Sequence, residues 1–114
     1  MTYQEALALV KSEFETRRDA AHCEVILTGR TLDGYNGFCV CLYDNQGEIL
    51  VSDMGETKEA FDEVTEEEWT KLCEDHGFEF RHWRIVKKFE DIYSVYDFID
   101  FLSFIADTFD PIDE

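Results

Sequence analysis

The first part of the chain carries apolar residues at the spacing of one helix face. Between residues 6 and 14 they recur every three or four positions. They follow Thr2 and Glu5, which stand three residues apart as in a capping box, in which each side chain bonds the other residue's backbone N–H. The pattern predicts a helix over residues 3–17.

Three strands are predicted next. Apolar residues alternate over residues 23–27, occupy both faces over 38–43 as in a central strand, and continue over 48–53. Asp-Gly and Asn-Gly pairs within residues 29–37 are turn signals. The last two strands are separated only by Asn45-Gln46-Gly47, and so short a connection returns the chain antiparallel. We therefore expect a three-strand meander.

The middle of the chain predicts a short helix and then two more strands. Thr65 and Glu68 form a second capping box, and the helix that they open is expected to stop at His76-Gly77. Alternation of apolar and polar residues then predicts a fourth strand over residues 78–82. Residues 85–89 are consistent with a short fifth strand.

A long final helix is predicted over residues 92–109, capped by Asp91 and ended by Asp110-Pro111. Together these elements predict a single α+β domain over residues 1–114. Its expected core is an antiparallel sheet of four or five strands, with the meander first. The sheet packs with an N-terminal helix, a short middle helix and the long C-terminal helix.

The apolar arc of the final helix is wider than one packed face requires. Either this helix lies deep between the sheet and the first helix, or part of it is an interface for a second copy or another partner. The side chains that such an interface would use are Phe98, Phe101, Phe104 and Ile105.

Acidic residues dominate the charge of the chain. It holds 27 Asp and Glu against 10 Lys and Arg, for a formal net charge of −17. So strong a negative charge disfavours direct binding to nucleic acid or to an anionic membrane. The charge is densest in one run, which we call the acidic segment. Its carboxylates are Glu56, Glu59, Asp62, Glu63, Glu66, Glu67 and Glu68. They form either a solvated face or a surface for a protein partner with basic side chains.

A single basic and aromatic cluster follows, which we call the basic ribbon. Its residues are Arg81, His82, Trp83, Arg84, Lys87 and Lys88. Such a cluster is able to stack on and pair with single-stranded nucleic acid. In a molecule of this charge we expect it instead to pair with the carboxylates of the acidic segment.

Side chains suited to catalysis or metal binding are few. Asp53 and Glu56 offer oxygen ligands for a divalent cation after the third strand, although Asp53 is equally suited to closing a turn. Cys73 and His76 are three residues apart, but Cys73 falls on the apolar side of its helix. The four cysteines have no Cys-x-x-Cys spacing, so we expect core thiols rather than a zinc site. No cofactor is expected.

The location of the protein is predicted from two absent patterns. No run of about 20 uninterrupted apolar residues occurs, as a membrane-spanning helix requires. The first ten residues lack the basic segment and the long apolar run of a signal peptide. We therefore expect a soluble protein in the reducing cytoplasm.

The segment Ile49-Leu50-Val51-Ser52-Asp53-Met54-Gly55 has the form of a strand that ends in a Leu-Ser/Thr-Asp-x-Gly turn. With the order of helices and strands and the later His76-Gly77-Phe78, it resembles an uncharacterised family of small bacterial and phage domains. The resemblance spans residues 3–106. It implies this fold and a microbial or mobile-element origin, and it implies no activity or catalytic residue.

Three functions are compatible with these features. The first is a non-enzymatic protein that presents the acidic segment to a basic groove, similar to phage DNA-mimic inhibitors of restriction or CRISPR effectors. The second is a homodimeric or accessory domain that associates through the final helix. The third is a small metal-dependent enzyme at Asp53 and Glu56.

Overall fold

A computed structural model describes residues 1–28, 31–32, 36–37 and 40–109. It confirms the α+β class and the order of the predicted elements. The helices are α1 (Tyr3–Lys11), α2 (Glu56–Ala60), α3 (Glu66–Asp75) and α4 (Ile92–Phe109). The strands are β1 (Glu15–Ala20), β2 (Cys23–Leu27), β3 (Thr31–Leu32), β4 (Asn36–Gly37), β5 (Val40–Asn45), β6 (Glu48–Ser52), β7 (Glu79–Arg81) and β8 (Arg84–Lys88).

Six strands form one antiparallel sheet in the order β1-β2-β5-β6-β8-β7. The predicted meander is its centre, where β5 lies between β2 and β6. Gln46 and Gly47 join β5 to β6 with positive φ at both positions, as a two-residue antiparallel turn requires. β3 and β4 form a separate pair, so the predicted turn at Asn36-Gly37 is a strand. The predicted signals at Asp33-Gly34, Phe38, Cys39 and Asp110-Pro111 lie outside the described residues.

The predicted end of the first helix is wrong, and a sixth strand takes its place. α1 stops at Lys11, where the hydroxyl of Ser12 donates to the carbonyl of Leu9 at 2.6 Å. Residues Glu15–Ala20 instead pair with β2 as the edge of the sheet. Almost every side chain of this strand is exposed, so no apolar alternation marks it. Its conformation is set by antiparallel pairing with β2 across the short connection at residues 21–22, which intrinsic propensity does not register.

Both capping boxes are confirmed. The Thr2 hydroxyl accepts from the N–H of Glu5 at 3.1 Å, and the Glu5 carboxylate accepts from the N–H of Thr2 at 2.8 Å. Thr65 and Glu68 make the same reciprocal pair at 3.2 and 2.9 Å. These bonds satisfy N–H groups that the first turn of a helix leaves without partners.

The core lies between one face of the sheet and the helices. The inward side chains of the central strands include Ile26, Leu42, Val51 and Ile85, each at most 1% exposed. α1 contacts β5, α3 contacts β7, and α4 contacts both β6 and β8. The side chains along one face of every central strand are therefore covered, which is the main favourable term in folding.

The bounds of α4 agree with the prediction. The carboxylate of Asp91 accepts from the N–H of Tyr93 at 2.9 Å, as expected of a capping residue. α4 buries two neighbouring apolar stripes, which explains its wide apolar arc. The first stripe contains Val95, Ile99 and Leu102, and the second contains Phe98, Phe101 and Ile105. Phe98 lies edge-on to Phe78, with ring centroids 5.8 Å apart, so the second stripe packs on the chain that enters β7.

Replacing Phe98 by Ala should reveal how much stability this helix supplies. Phe98 is fully buried, and truncation leaves a cavity, so we expect the free energy of unfolding to fall by about 3–5 kcal/mol. Tyr93→Ala is the matched control, because Tyr93 lies on the same helix and is 68% exposed; it should change stability by about 0.5 kcal/mol at most. Urea denaturation measures both, and equal losses would contradict the burial of Phe98.

Candidate functional site

Asp53, one of the two predicted metal ligands, is fully buried at the end of β6. Its Oδ1 accepts from the N–H groups of Gly55 and Ile85, both at 2.9 Å. Its Oδ2 accepts from the N–H of Thr57 at 3.2 Å. The carboxylate therefore joins three segments of backbone: the turn after β6, helix α2 and strand β8.

The surroundings of Asp53 are those of a structural carboxylate. Burial raises the pKa of Asp53 above its ordinary value, against the backbone N–H donors, which lower it. Glu56 is exposed on α2. Among the described residues no group of three or more His, Cys, Asp or Glu side chains is placed to hold a metal ion. The turn-closing role is the one that the hydrogen bonds support.

Cys73 and His76 do not form a nucleophile and base pair. Burial is the largest influence on the Cys73 thiol and raises its pKa to about 12, so the thiolate is scarce at neutral pH. His76 ends α3, and its Nδ1 lies 3.0 Å from the carbonyl oxygen of Leu72. Cys41 is buried and Cys23 half-buried, while Cys39 lies outside the described residues.

The acidic segment is exposed along its length. All seven of its carboxylate side chains belong to exposed residues, on α2, on the first turn of α3 and between the two helices. None of them takes part in an ion pair with another described residue. Among these seven carboxylates of the described chain, only that of Glu68 accepts a hydrogen bond, from the N–H of Thr65 in the capping box. The other six carboxylates face solvent.

No residue of the basic ribbon forms an ion pair with the acidic segment in the described chain. Arg81 forms its ion pairs with Glu79 of its own strand at 2.8 Å and with Glu48 of β6 at 3.4 Å. These two bonds raise the pKa of the guanidinium. The basic ribbon was expected to form ion pairs with residues 56–68, and among the described residues it forms none with them. Lys58 instead lies over the ring of Trp83, with 5.0 Å from Nζ to the ring centroid.

His82 and Trp83 form the tight turn between β7 and β8. Both have positive φ, 50° and 65°, in a position where Asn-Gly is the usual pair. A left-handed conformation costs a non-glycine residue about 1–2 kcal/mol. Sequence patterns did not reveal this turn, because neither residue is a turn signal. A Cβ at Gly55 would lie 3.5 Å from the carbonyl oxygen of Trp83, so the two turns are close.

The proposed interface on α4 is mostly core. Phe98, Phe101 and Ile105 are 0, 4 and 0% exposed within the single chain, so association through them would require the core to open. This corrects their assignment as an interface. Phe104 alone of the four remains at the surface, 42% exposed.

Comparison of the chain with protein-family models, with curated protein sequences and with solved structures gave no match. In the described part of the chain, no helix is long and apolar enough to cross a membrane.

Asp53→Asn should destabilise the protein although it barely changes the volume of the side chain. The new amide NH₂ cannot serve both oxygen positions, so at least one of the N–H groups of Gly55, Thr57 and Ile85 loses its acceptor. We expect a loss of about 1–3 kcal/mol in the free energy of unfolding. Asp62→Asn, an exposed carboxylate nearby, should stay within about 0.5 kcal/mol in the same denaturation experiment.

The pH dependence of that loss has a defined sign. Because the pKa of Asp53 is raised on folding, the folded state binds this proton more readily than the unfolded state does. The stabilisation is complete below the unfolded-state pKa of about 3.9 and is lost as the pH rises through the folded-state pKa. The wild type should therefore lose stability relative to Asp53→Asn as the pH rises above about 4. A difference that grew with pH would mean that folding lowers this pKa.

Proposed function

We propose that this protein is a non-enzymatic binding module that presents the acidic segment to a protein partner with a basic surface. The observation that carries the proposal is the exposure of all seven carboxylates without an ion pair among the described residues. Carboxylates in this state are available to an incoming cationic surface, and their field attracts it from a distance.

The partner of best fit is an enzyme whose basic groove ordinarily binds nucleic acid, such as a restriction or CRISPR effector. Glu66, Glu67 and Glu68 are consecutive on α3. A helix rises about 1.5 Å per residue, so this turn carries one charge per ~1.5 Å of its axis. Duplex DNA carries one per ~1.7 Å. Over this one turn the spacing of charges along the axis is similar, which supports a DNA-mimic inhibitor.

The side chains that the sequence offered for chemistry favour binding over catalysis. Asp53 uses both oxygens to hold backbone N–H groups, and burial keeps Cys73 as a thiol. An accessory role through α4 has less support, because three of its four candidate side chains lie in the core.

Reversing the charge of Glu63, Glu66 and Glu67 to Lys should abolish inhibition of a sensitive nuclease. The measurement is cleavage of duplex DNA by purified restriction and CRISPR effectors in the presence of the protein. Inhibition by the wild type should weaken as salt rises, since ions screen exposed charges over about 8–10 Å. The matched control reverses Glu15, Asp19 and Glu90, which are also exposed and make the same change in net charge.

Two results would refute the proposal. One is inhibition by none of the effectors at low salt. The other is an equal loss of inhibition in the two triple variants, which would mean that total charge matters and the position of the acidic segment does not.

A further inference from the structure

A groove of about 350 Å³ opens beside the middle of α4. His76 and Phe78, at the end of α3 and the entry to β7, form one side. Asp97, Asp100 and Phe104 of α4 form the other. On a helix these three positions lie close together, because residues three, four and seven apart share one face.

The rings of the groove continue outward from the core. Phe78 and Phe101 are stacked, with centroids 4.2 Å apart and planes at 11°, and Phe101 is 4% exposed. Phe104 follows, nearly parallel to Phe101 at 6.5 Å. His76 packs against Phe104 at 4.8 Å and against Phe101 at 5.3 Å. The outer ring is thus held in place by a buried one, although 42% of Phe104 is exposed.

The charges of the groove favour a cation. Asp97 and Asp100 are exposed and make no ion pair with a described residue. Lys87 is the cation already present, with its Nζ 5.0 Å from the centroid of the inner ring, Phe78. No cation of the described chain lies over Phe104. Two carboxylates against one ammonium leave the groove negative, and Phe104 is partly exposed in it.

We propose that this groove receives an arginine side chain of the basic partner, with the guanidinium against Phe104 and His76 and paired with Asp97 or Asp100. The inference rests on the proposed function, which supplies a partner with basic side chains. Charge complementarity selects a cation, and the ring selects arginine. A planar guanidinium stacks on an aromatic face and bonds a carboxylate with two N–H groups, whereas an ammonium does neither as well.

The groove and the acidic segment lie at opposite ends of the same helix. Glu66 begins α3 and His76 follows its last residue. Ten residues of helix span about 15 Å. A partner that meets both sites therefore needs an arginine about 15 Å from the cations that face the glutamates.

The test uses hexa-arginine as the probe and hexa-citrulline as its neutral counterpart of the same shape. Calorimetry measures affinity, and amide NMR shifts locate the bound peptide. We expect hexa-arginine to shift the amide signals of residues 76–78 and 97–104. Hexa-citrulline should bind neither the groove nor the acidic segment. Phe104→Ala should weaken binding of hexa-arginine about threefold to tenfold, and Phe104→Trp should preserve it. Tyr93→Ala is the control, an exposed aromatic on the same helix outside the groove.

A second variant separates aromatic from merely apolar contact. Phe104→Leu keeps an apolar side chain without a ring, so it should lose affinity as Phe104→Ala does. The double variant Asp97→Asn, Asp100→Asn should also weaken the binding of hexa-arginine. Because Phe104 is partly exposed, these variants are expected to fold, and circular dichroism checks this.

The results distinguish this inference from the function on which it rests. If charge reversal at Glu63, Glu66 and Glu67 abolishes nuclease inhibition while Phe104→Ala leaves hexa-arginine affinity unchanged, the binding function holds and the groove is refuted. If Phe104→Ala weakens hexa-arginine while no effector is inhibited, the groove holds and the proposed partner is refuted. Failure of hexa-arginine to shift residues 97–104 overturns the inference directly.

Discussion

The buried carboxylate of Asp53 is the constraint on which the acidic surface depends. It accepts N–H groups from the turn after β6, from α2 and from β8, so it fixes where the chain leaves the sheet and how α2 is oriented. An uncompensated carboxylate is expensive to bury, and only the backbone donors make this position tolerable. The outward direction of Glu56 and Glu59 follows, because the inner side of α2 is tied to Asp53 through Thr57.

The same anchoring places the turn after β6 next to the basic ribbon. The turn at Met54 and Gly55 lies against the turn at His82 and Trp83, and both include left-handed residues. Arg81 pairs across the sheet with Glu48, while Lys58 of α2 lies over Trp83. Arg84 lines one pocket with Glu56 and Glu59, but no ion pair joins the basic ribbon to the acidic segment in the described chain.

Local sequence signals predicted those elements whose cause is local. Both capping boxes, the short β5 to β6 turn and the whole of α4 are set by residues within a few positions of one another. The strand at Glu15–Ala20 was missed because almost all of its side chains are exposed, so no apolar alternation marks it. The acidic segment was recognisable from composition. The groove was not, since Phe78 and Phe104 meet only in the folded chain, although the spacing of Asp97, Asp100 and Phe104 was a usable signal.

The two surfaces differ in what they are able to contribute to recognition. Exposed carboxylates act over a Debye length and accelerate encounter with any cationic surface, but they discriminate poorly among such surfaces. A ring held by a buried ring has little motion to lose on binding. Its contact therefore costs less conformational entropy and accepts a narrower range of partner geometries. Because the stack runs from Phe78 through Phe101 to Phe104, the position of the outer ring is set by the core. Specificity would thus follow from the packing of α4, and attraction from the exposed carboxylates of α2 and α3.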